Sequence, residues 1–311
     1  MSIWLTMGFQ SGTMNYMREA ESHSSPGRVV VAGATGYLGR HLVVELAARG
    51  FEVAAIVRPG KSVPGASVII EAQVTEPASL VGVLDGAVAV FSALGVTRQN
   101  DAVSYHDIEF QANLNLLREA ERAGVPRFGV ISAVNPEVFA GLAILESREQ
   151  FIAELKTSSV ESLVVRATGF FSDMSDLFDM AKSGRAYTIG NGTTQTNPIH
   201  GTDLAKVCAD ALVAVEPPPH REIDTGGPDT YSWNEIARLA FDALGTRPKI
   251  THVPAWIPKL LLPALKPFRR RTYDIAQFIV HGSLVNMTAP PHGTHHLRDT
   301  YAALANPTGE P

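Results

Sequence analysis

The stretch VVVAGATGYLGRHLVVELAARG, Val29 to Gly50, restricts the fold more than any other part of the chain. Its β-branched run reads as a buried strand, and the pattern from Tyr37 to Arg49 reads as a helix. Between them stand Gly33, Gly36 and Gly39. Glycine permits a sharp turn after a strand, lets backbone approach a bound group, and lets the helix pack closely on the strand. The helix then aims its unpaired amides and the positive end of its dipole at the turn's contents, an arrangement suited to a diphosphate. Thr35, Tyr37 and Leu38 belong to the same ligand-binding turn. A tight turn with no ligand is the competing account, and the strand–turn–helix context favours the ligand.

From Arg28 onward, short apolar runs alternate with helical stretches. RVVVAG leads into the first helix, and FEVAAIV follows. SVIIEA precedes a helix starting near Pro77, with Thr75 as its N-cap. AVAVFSALG precedes a long helix around HDIEFQANLNLLREAERAG. RFGVISAV is followed by a helix over residues 137–157 and then by VESLVVRATG. The strands are continuously apolar rather than alternating, as strands buried on both faces are. Alternation of strand and helix implies parallel pairing with right-handed crossovers. The fold class is therefore α/β, a Rossmann-type doubly wound parallel sheet. Residues 27–170 form the nucleotide-binding domain. Residues 171–311 form a smaller, mixed C-terminal substrate lobe that returns to the sheet. After Gly169 the sequence predicts short strands in YTIGNGTTQTNPIH, a helix in GTDLAKVCADALVAVE, a strand in REIDTGG, and a helix opened by a Ser232/Glu235 capping pattern.

Bulk properties narrow the function. With 26 Lys and Arg against 31 Asp and Glu, the net charge of −5 argues against a general nucleic-acid binder. The single cysteine, Cys208, lies in a helical pattern; it permits no internal disulfide and fits a reducing cytoplasm. Residues 1–26 lack a basic start and a continuous apolar core. They read as a flexible tail, upstream of a start at Met14 or Met17, rather than a signal peptide. No uncharged apolar window is long enough for a membrane span.

The G-x-x-G-x-x-G spacing, with this fold order, resembles the short-chain dehydrogenase/reductase superfamily in its extended or atypical branch. At the end of the second strand, AAIVRPGKS lacks the acid that would bind an NAD ribose hydroxyl; Arg58 stands there, with Lys61 nearby. A guanidinium can bind a 2′-phosphate that an acid would repel, which favours NADP(H) over NAD(H). Arg40 is a second candidate for a phosphate contact, and a solvated surface role for Arg58 is the alternative. FSALGVTRQ, YHDIEFQANLNLLREAERAGVPRF and VVRATGFFSDMSDLFDMAKSGRAYTIGNGTTQTNPIHGTDLA sharpen the likeness to atypical reductases with NmrA-like and divinyl-reductase-like members, over roughly residues 28–250. That resemblance implies that Ser92, Ala93 and Leu94 line the cofactor's ribose, and that Gln73 stands where relatives carry an adenine-contacting Asp. It also implies that Thr168, Gly169, Phe170 and Phe171 pass near the nicotinamide, although Phe170 and Phe171 also suit a plain core.

The superfamily's Tyr-x-x-x-Lys engine is missing. Ser132 occupies the strand-end serine position, but Ile144 holds the tyrosine place and Arg148 the lysine place. Arginine can hydrogen-bond a ribose or a developing oxyanion, but it does not act as a general base. Three readings follow: a reductase stabilising a hydride-derived anion with Ser132, Arg148 or water; a cofactor-binding regulator of NmrA type; and a redox-neutral enzyme in the same pocket. Reduction of an activated C=C bond or a quinone needs the least acid catalysis. His200, ahead of the helix that holds Asp203, is a further catalytic candidate, with a structural, capping role as its alternative. Tyr105 and His106 could reach the mouth of the site. His292, His295 and His296 lack a carboxylate or thiol cluster, so no metal site is expected, and they read as a disordered or surface tail. Trp256 to Arg271, WIPKLLLPALKPFRRR, reads as a leucine-lined lid over an apolar substrate, with a membrane-touching role as the alternative. The expected partner is a hydrophobic small molecule, and a homodimer is compatible with the pattern.

Overall fold

A computed structural model describes residues 26–95, 103–215, 218–266 and 268–306. All but the last residue of the expected tail at residues 1–26, and the end of FSALGVTRQ, lie outside them. Seven strands build the central sheet: β1 (Arg28–Ala32), β2 (Glu52–Val57), β3 (Val68–Glu71), β4 (Ala87–Ser92), β5 (Arg127–Ala133), β6 (Glu161–Ala167) and β9 (His220–Thr225). Their spatial order is β3-β2-β1-β4-β5-β6-β9, and every neighbouring pair is parallel. This is the Rossmann-type doubly wound sheet that the strand–helix rhythm predicts. The order reverses between β1 and β4, which opens a crevice beyond their carboxyl ends.

The strands alternate their side chains between two layers. Val29 and Val31 meet α1 (Tyr37–Ala48) and α5 (Gly201–Leu212) in one apolar cluster, in which Cys208 is fully buried. Val30 and Ala32 face α2 (Asn113–Ala123) and α3 (Ala143–Thr157) in the other. The inner strands are therefore dry on both faces, which explains why β1, β2 and β4 are apolar at nearly every position.

The chain after Gly169 divides its contributions. β9 extends the sheet as the seventh strand, and α5 packs beside α1. The remainder forms a separate cluster of α4 (Phe171–Lys182), α6 (Trp233–Ala243) and α9 (Leu297–Ala305), with Leu297 and Tyr301 fully buried. Two short pairs flank it: β7 (Ala186–Ile189) with β11 (Ile250–Val253) in parallel, and β8 (Gln195–Thr196) with β10 (Tyr231–Ser232) antiparallel. Ser232 and Glu235 form the reciprocal capping pair at the start of α6. Beyond β11 come α7 (Trp256–Leu261), a 3₁₀ turn (Leu262–Leu265) and α8 (Arg270–Ser283). Phe278 of α8 stacks on Phe139 at 4.6 Å between ring centroids.

Three local expectations need correction. The helix near Pro77 is a single 3₁₀ turn, Pro77–Leu80, preceded by Glu76 rather than capped by Thr75. It stops at Leu80, Val81 is extended, and the Gly82 amide donates to Glu119 of α2 at 2.7 Å, so a tertiary contact replaces further helix. The helix expected over residues 137–157 divides into a 3₁₀ turn, Pro136–Phe139, and α3 after a break at Gly141. His292, His295 and His296 belong to a placed segment rather than a loose tail: His295 pairs with Asp203, His296 with Asp229, and His292 with Thr225.

Candidate functional site

Close packing around the glycine turn explains its composition. Gly33 leaves β1 at φ +73, and a Cβ there would lie 2.7 Å from the Ala93 backbone. A Cβ on Gly39 would come within 2.2 Å of the Gly33 carbonyl oxygen, so α1 presses onto the turn at a distance no other residue tolerates. Gly36 is the N-cap of α1, and no side chain caps the helix or places an acid in its first turn. Its leading amides and dipole thus face the crevice, while Thr35 is exposed and Leu38 is buried beneath. This cradle fits a diphosphate: the turn excludes a side chain, and the helix end supplies donors without an opposing carboxylate.

Two further loops close on it. After β4, the Ala93 amide donates to the Ala32 carbonyl at 2.9 Å, which seats Ser92–Leu94 against β1. Ser92 is buried and donates to Asn113 Oδ1 at 2.5 Å, while the Leu94 amide donates back to Ser92 Oγ at 3.4 Å. Asn113 Nδ2 in turn donates to the carbonyls of Ile108 and Glu109, at 3.1 and 3.0 Å, in a π-helical stretch (His106–Ala112) that opens α2. After β6, Thr168 Oγ1 donates to the Asn197 carbonyl at 2.6 Å, and the Ile199 amide to the Gly169 carbonyl at 2.9 Å. Phe170 then lies 5.8 Å from the Tyr37 ring. The structure therefore brings together Gly33, Thr35, Gly36, Tyr37, Leu38, Gly39, Ala93, Leu94, Thr168, Gly169 and Phe170. Arg58 and Lys61 stand exposed in a turn at the end of β2, closed by the Lys61 amide to the Arg58 carbonyl at 3.2 Å. Gln73 follows β3, where its backbone is tied to Ser79.

The three catalytic candidates do not converge. Ser132 faces α3, donating to Glu149 at 2.9 Å, and Glu149 is gripped by Arg166 at 2.7 and 2.8 Å. Arg148 lies behind the β4 loop. Its Nε donates to the fully buried Glu109 at 2.8 Å, its Nη2 to Glu109 and to the Leu94 carbonyl at 2.9 Å, and its Nη1 to the Ile131 carbonyl. Most of its donors are thus spent inside the protein. His200 lies on the opposite face of the sheet, where it caps α5 by accepting from the Thr202 amide at 3.2 Å. It stacks on His295 at 4.3 Å and meets His41 at 5.4 Å. Burial, with His295 and His41 close by, holds His200 below the ordinary histidine range, with Asp203 opposing. Burial, with Arg40 and His295, does the same to His41. Burial raises the Tyr37 phenol even though its oxygen accepts from the Gly201 amide at 3.0 Å. Tyr105 packs in the apolar cluster that holds Ile144, and His106 is exposed beside Phe110.

Sequence reasoning missed Asn113, Glu109 and the clamp at Asp203. An asparagine inside a helical pattern is a usable sign of side-chain bonding to backbone. Nothing in the sequence marks Glu109, whose importance comes from an arginine 39 positions away. Asp203, in the first turn of α5, reaches across to the C-terminal segment: its carboxylate accepts from the Thr294 and His295 amides at 3.1 and 3.0 Å and pairs with His295 Nδ1 at 2.9 Å.

Comparison with known proteins agrees with this geometry. The sequence profile described as NAD(P)H-binding matches residues 33–214, from the first glycine of the turn to the end of α5 and more than half of the chain. Divinyl chlorophyllide a 8-vinyl-reductase of Zea mays is 29% identical over 250 residues, 74% of this chain. The match spans only 62% of the maize protein's length. Photosystem II assembly factor Ycf39 of Trieres chinensis is 23% identical over 75% of this chain and 74% of its own. In shape, the chain is similar to the NADPH-dependent quinone oxidoreductase QOR2 of Escherichia coli, with TM-score 0.70 and 18% identity, over 89% of this chain and 99% of that one. The turn that opens the profile match is the one whose packing excludes side chains, and on these grounds the chain belongs to the NAD(P)H-binding family.

Proposed function

We propose that this chain is an NADPH-dependent reductase of a hydrophobic small molecule: a quinone, an enone or a ketone. The observation that supports it most directly is the meeting of the glycine turn, the β4 loop and the β6 loop at the uncapped start of α1. Arg58 and Lys61, cations at the end of β2, favour a phosphorylated ribose. When bound, the nicotinamide supplies a hydride for an electron-poor carbon. The chain's own part is to hold and orient. Ser92 and Asn113 fix the β4 loop, Arg148 holds the Leu94 carbonyl from behind, and Thr168 pins the β6 loop. In this reading Arg148 is a positioning residue, and Ser132 and His200 serve the scaffold. A conjugated substrate spreads the resulting negative charge over several atoms and so needs little help from a protein acid. The maize relative is named for reduction of a vinyl group, which agrees with that substrate class. We place the protein in the cytoplasm, as a monomer or homodimer.

A second reading, a cofactor-binding regulator without turnover, draws on one specific observation: Ser132 and Arg148 have spent their hydrogen bonds on the protein itself. Ycf39 is named as an assembly factor, which agrees with it. NADPH oxidation against a panel of quinones and enones separates the two. Turnover with at least one of them is expected of the reductase; tight NADPH binding with no oxidation against the whole panel leaves the regulator.

A further inference from the structure

The stretch Trp256–Arg269 turns its apolar side chains outward. Trp256, Leu260, Leu261 and Phe268 are between 62 and 87% exposed, whereas large apolar side chains elsewhere on the fold are mostly buried. A lid closed over the crevice would hide its leucines; here Leu260, Leu261 and Leu265 are exposed, and Ile257, Pro258 and Leu262 are half-buried. The charge of the same segment is equally one-sided. Residues 254–273 contain Lys259, Lys266, Arg269, Arg270 and Arg271 and no acid, in a chain whose net charge is −5. Lys266 Nζ lies 5.6 Å from the centre of the Tyr273 ring, which ties this cation to the start of α8 beside the exposed apolar residues. The helical pieces here are short, six residues of α7 and four of the 3₁₀ turn, so the stretch can lie on a surface but has no length to cross one.

We infer that this segment docks the protein on an anionic lipid surface, with Trp256, the exposed leucines and Phe268 entering the headgroup boundary and Lys259, Lys266 and Arg269 meeting lipid phosphates. Aromatic and leucine side chains flanked by cations are the composition of interfacial segments, because apolar burial and attraction to anionic lipid act at the same depth. A second copy of the chain fits this surface less well. A two-fold interface would set each basic cluster against its own image, with no acid inside the segment to neutralise it. The inference does not depend on the cofactor or the substrate.

The test is co-sedimentation of the full chain with vesicles of pure phosphatidylcholine and of phosphatidylcholine mixed with phosphatidylglycerol, at low and high salt. Binding about tenfold stronger to the anionic vesicles is expected, falling with salt. Charge reversal by Lys259→Glu with Lys266→Glu should abolish the preference. Trp256→Ser with Phe268→Ser should weaken binding to anionic vesicles, again by about tenfold. Because these residues are exposed, thermal unfolding of both variants should match the parent, which separates lost docking from lost folding. Equal partition to both vesicle types, or binding that neither variant changes, overturns the inference. So does self-association abolished by Trp256→Ser with Phe268→Ser in a protein that ignores vesicles.

Discussion

Arg58 occupies the end of β2 in a turn braced from β3, where Glu71 accepts the Gly60 amide at 3.0 Å. The brace fixes the backbone that presents Arg58 and Lys61 next to the crevice. If the guanidinium receives the 2′-phosphate, Arg58→Ala should weaken NADPH binding by about 10- to 100-fold, the value of a charge-assisted hydrogen bond of about 1.5–3 kcal/mol, and leave NADH nearly unchanged. Isothermal titration with both nucleotides measures this; equal losses for the two would remove Arg58 from the 2′-phosphate. At this scale the sequence was legible wherever backbone geometry dictates the residue. Gly33 and Gly39 are needed because Ala93 and the Gly33 carbonyl leave no room for a Cβ. It was poorly legible where partners come from afar. Ser132 in its strand gives no hint that Arg166 and Glu149 enclose it.

At the level of elements, the Arg148–Glu109 pair joins α3 to the π-helical stretch, and through the Leu94 and Ile131 carbonyls it also joins β4 and β5. One guanidinium thus fastens four elements behind the cofactor loop. Removing one partner strands a charge in the interior, so Arg148→Met should cost about 3–5 kcal/mol in urea unfolding. Adding Glu109→Gln to it should recover part of the loss, because the orphaned charge goes too. If the single variant unfolds like the parent, the pair is no fastening. Element boundaries show where sequence periodicity fails. The apolar spacing across residues 137–157 continues through Gly141, yet the chain breaks there, and Phe139 turns toward Phe278 of α8. Packing against an element more than a hundred positions later outweighed local propensity.

Across the whole molecule, the α1–α5 seam carries a pH dependence. His41 and His200 sit below the ordinary histidine value near 6.5, so the folded protein holds fewer protons there than the unfolded chain. Stability is therefore full above about pH 6.5 and declines as the pH falls through the lowered values. Acidification would place cations on His41 and His200 beside Arg40 and the His295 ring, with Asp203 as the acid among them. Burial would raise the Asp203 carboxyl, but its bonds from His295 and Thr294 hold it below the usual carboxylate value, so its share persists until stronger acid. The urea midpoint should thus be lower at about pH 5.5 than at about pH 7.5, and His200→Asn, which can keep the cap, should shrink the difference. Identical midpoints at the two values would exclude the seam as the titrating element. The sheet itself was readable from the alternating apolar runs. The joining of β9 to β6 was not, because its alternating HREIDT gives no sign of which strand it meets.

The origin of β9 and α5 so late in the chain has a consequence for biosynthesis. When the ribosome has released the first six strands, the glycine turn is complete in sequence, but one side of α1 still lacks its covering helix and β6 still offers an unpaired edge. A nascent chain paused before Gly201 therefore displays a sticky apolar flank to its surroundings. Mature nucleotide affinity should therefore arrive with the emergence of α5, and relief of the open β6 edge only later, with β9.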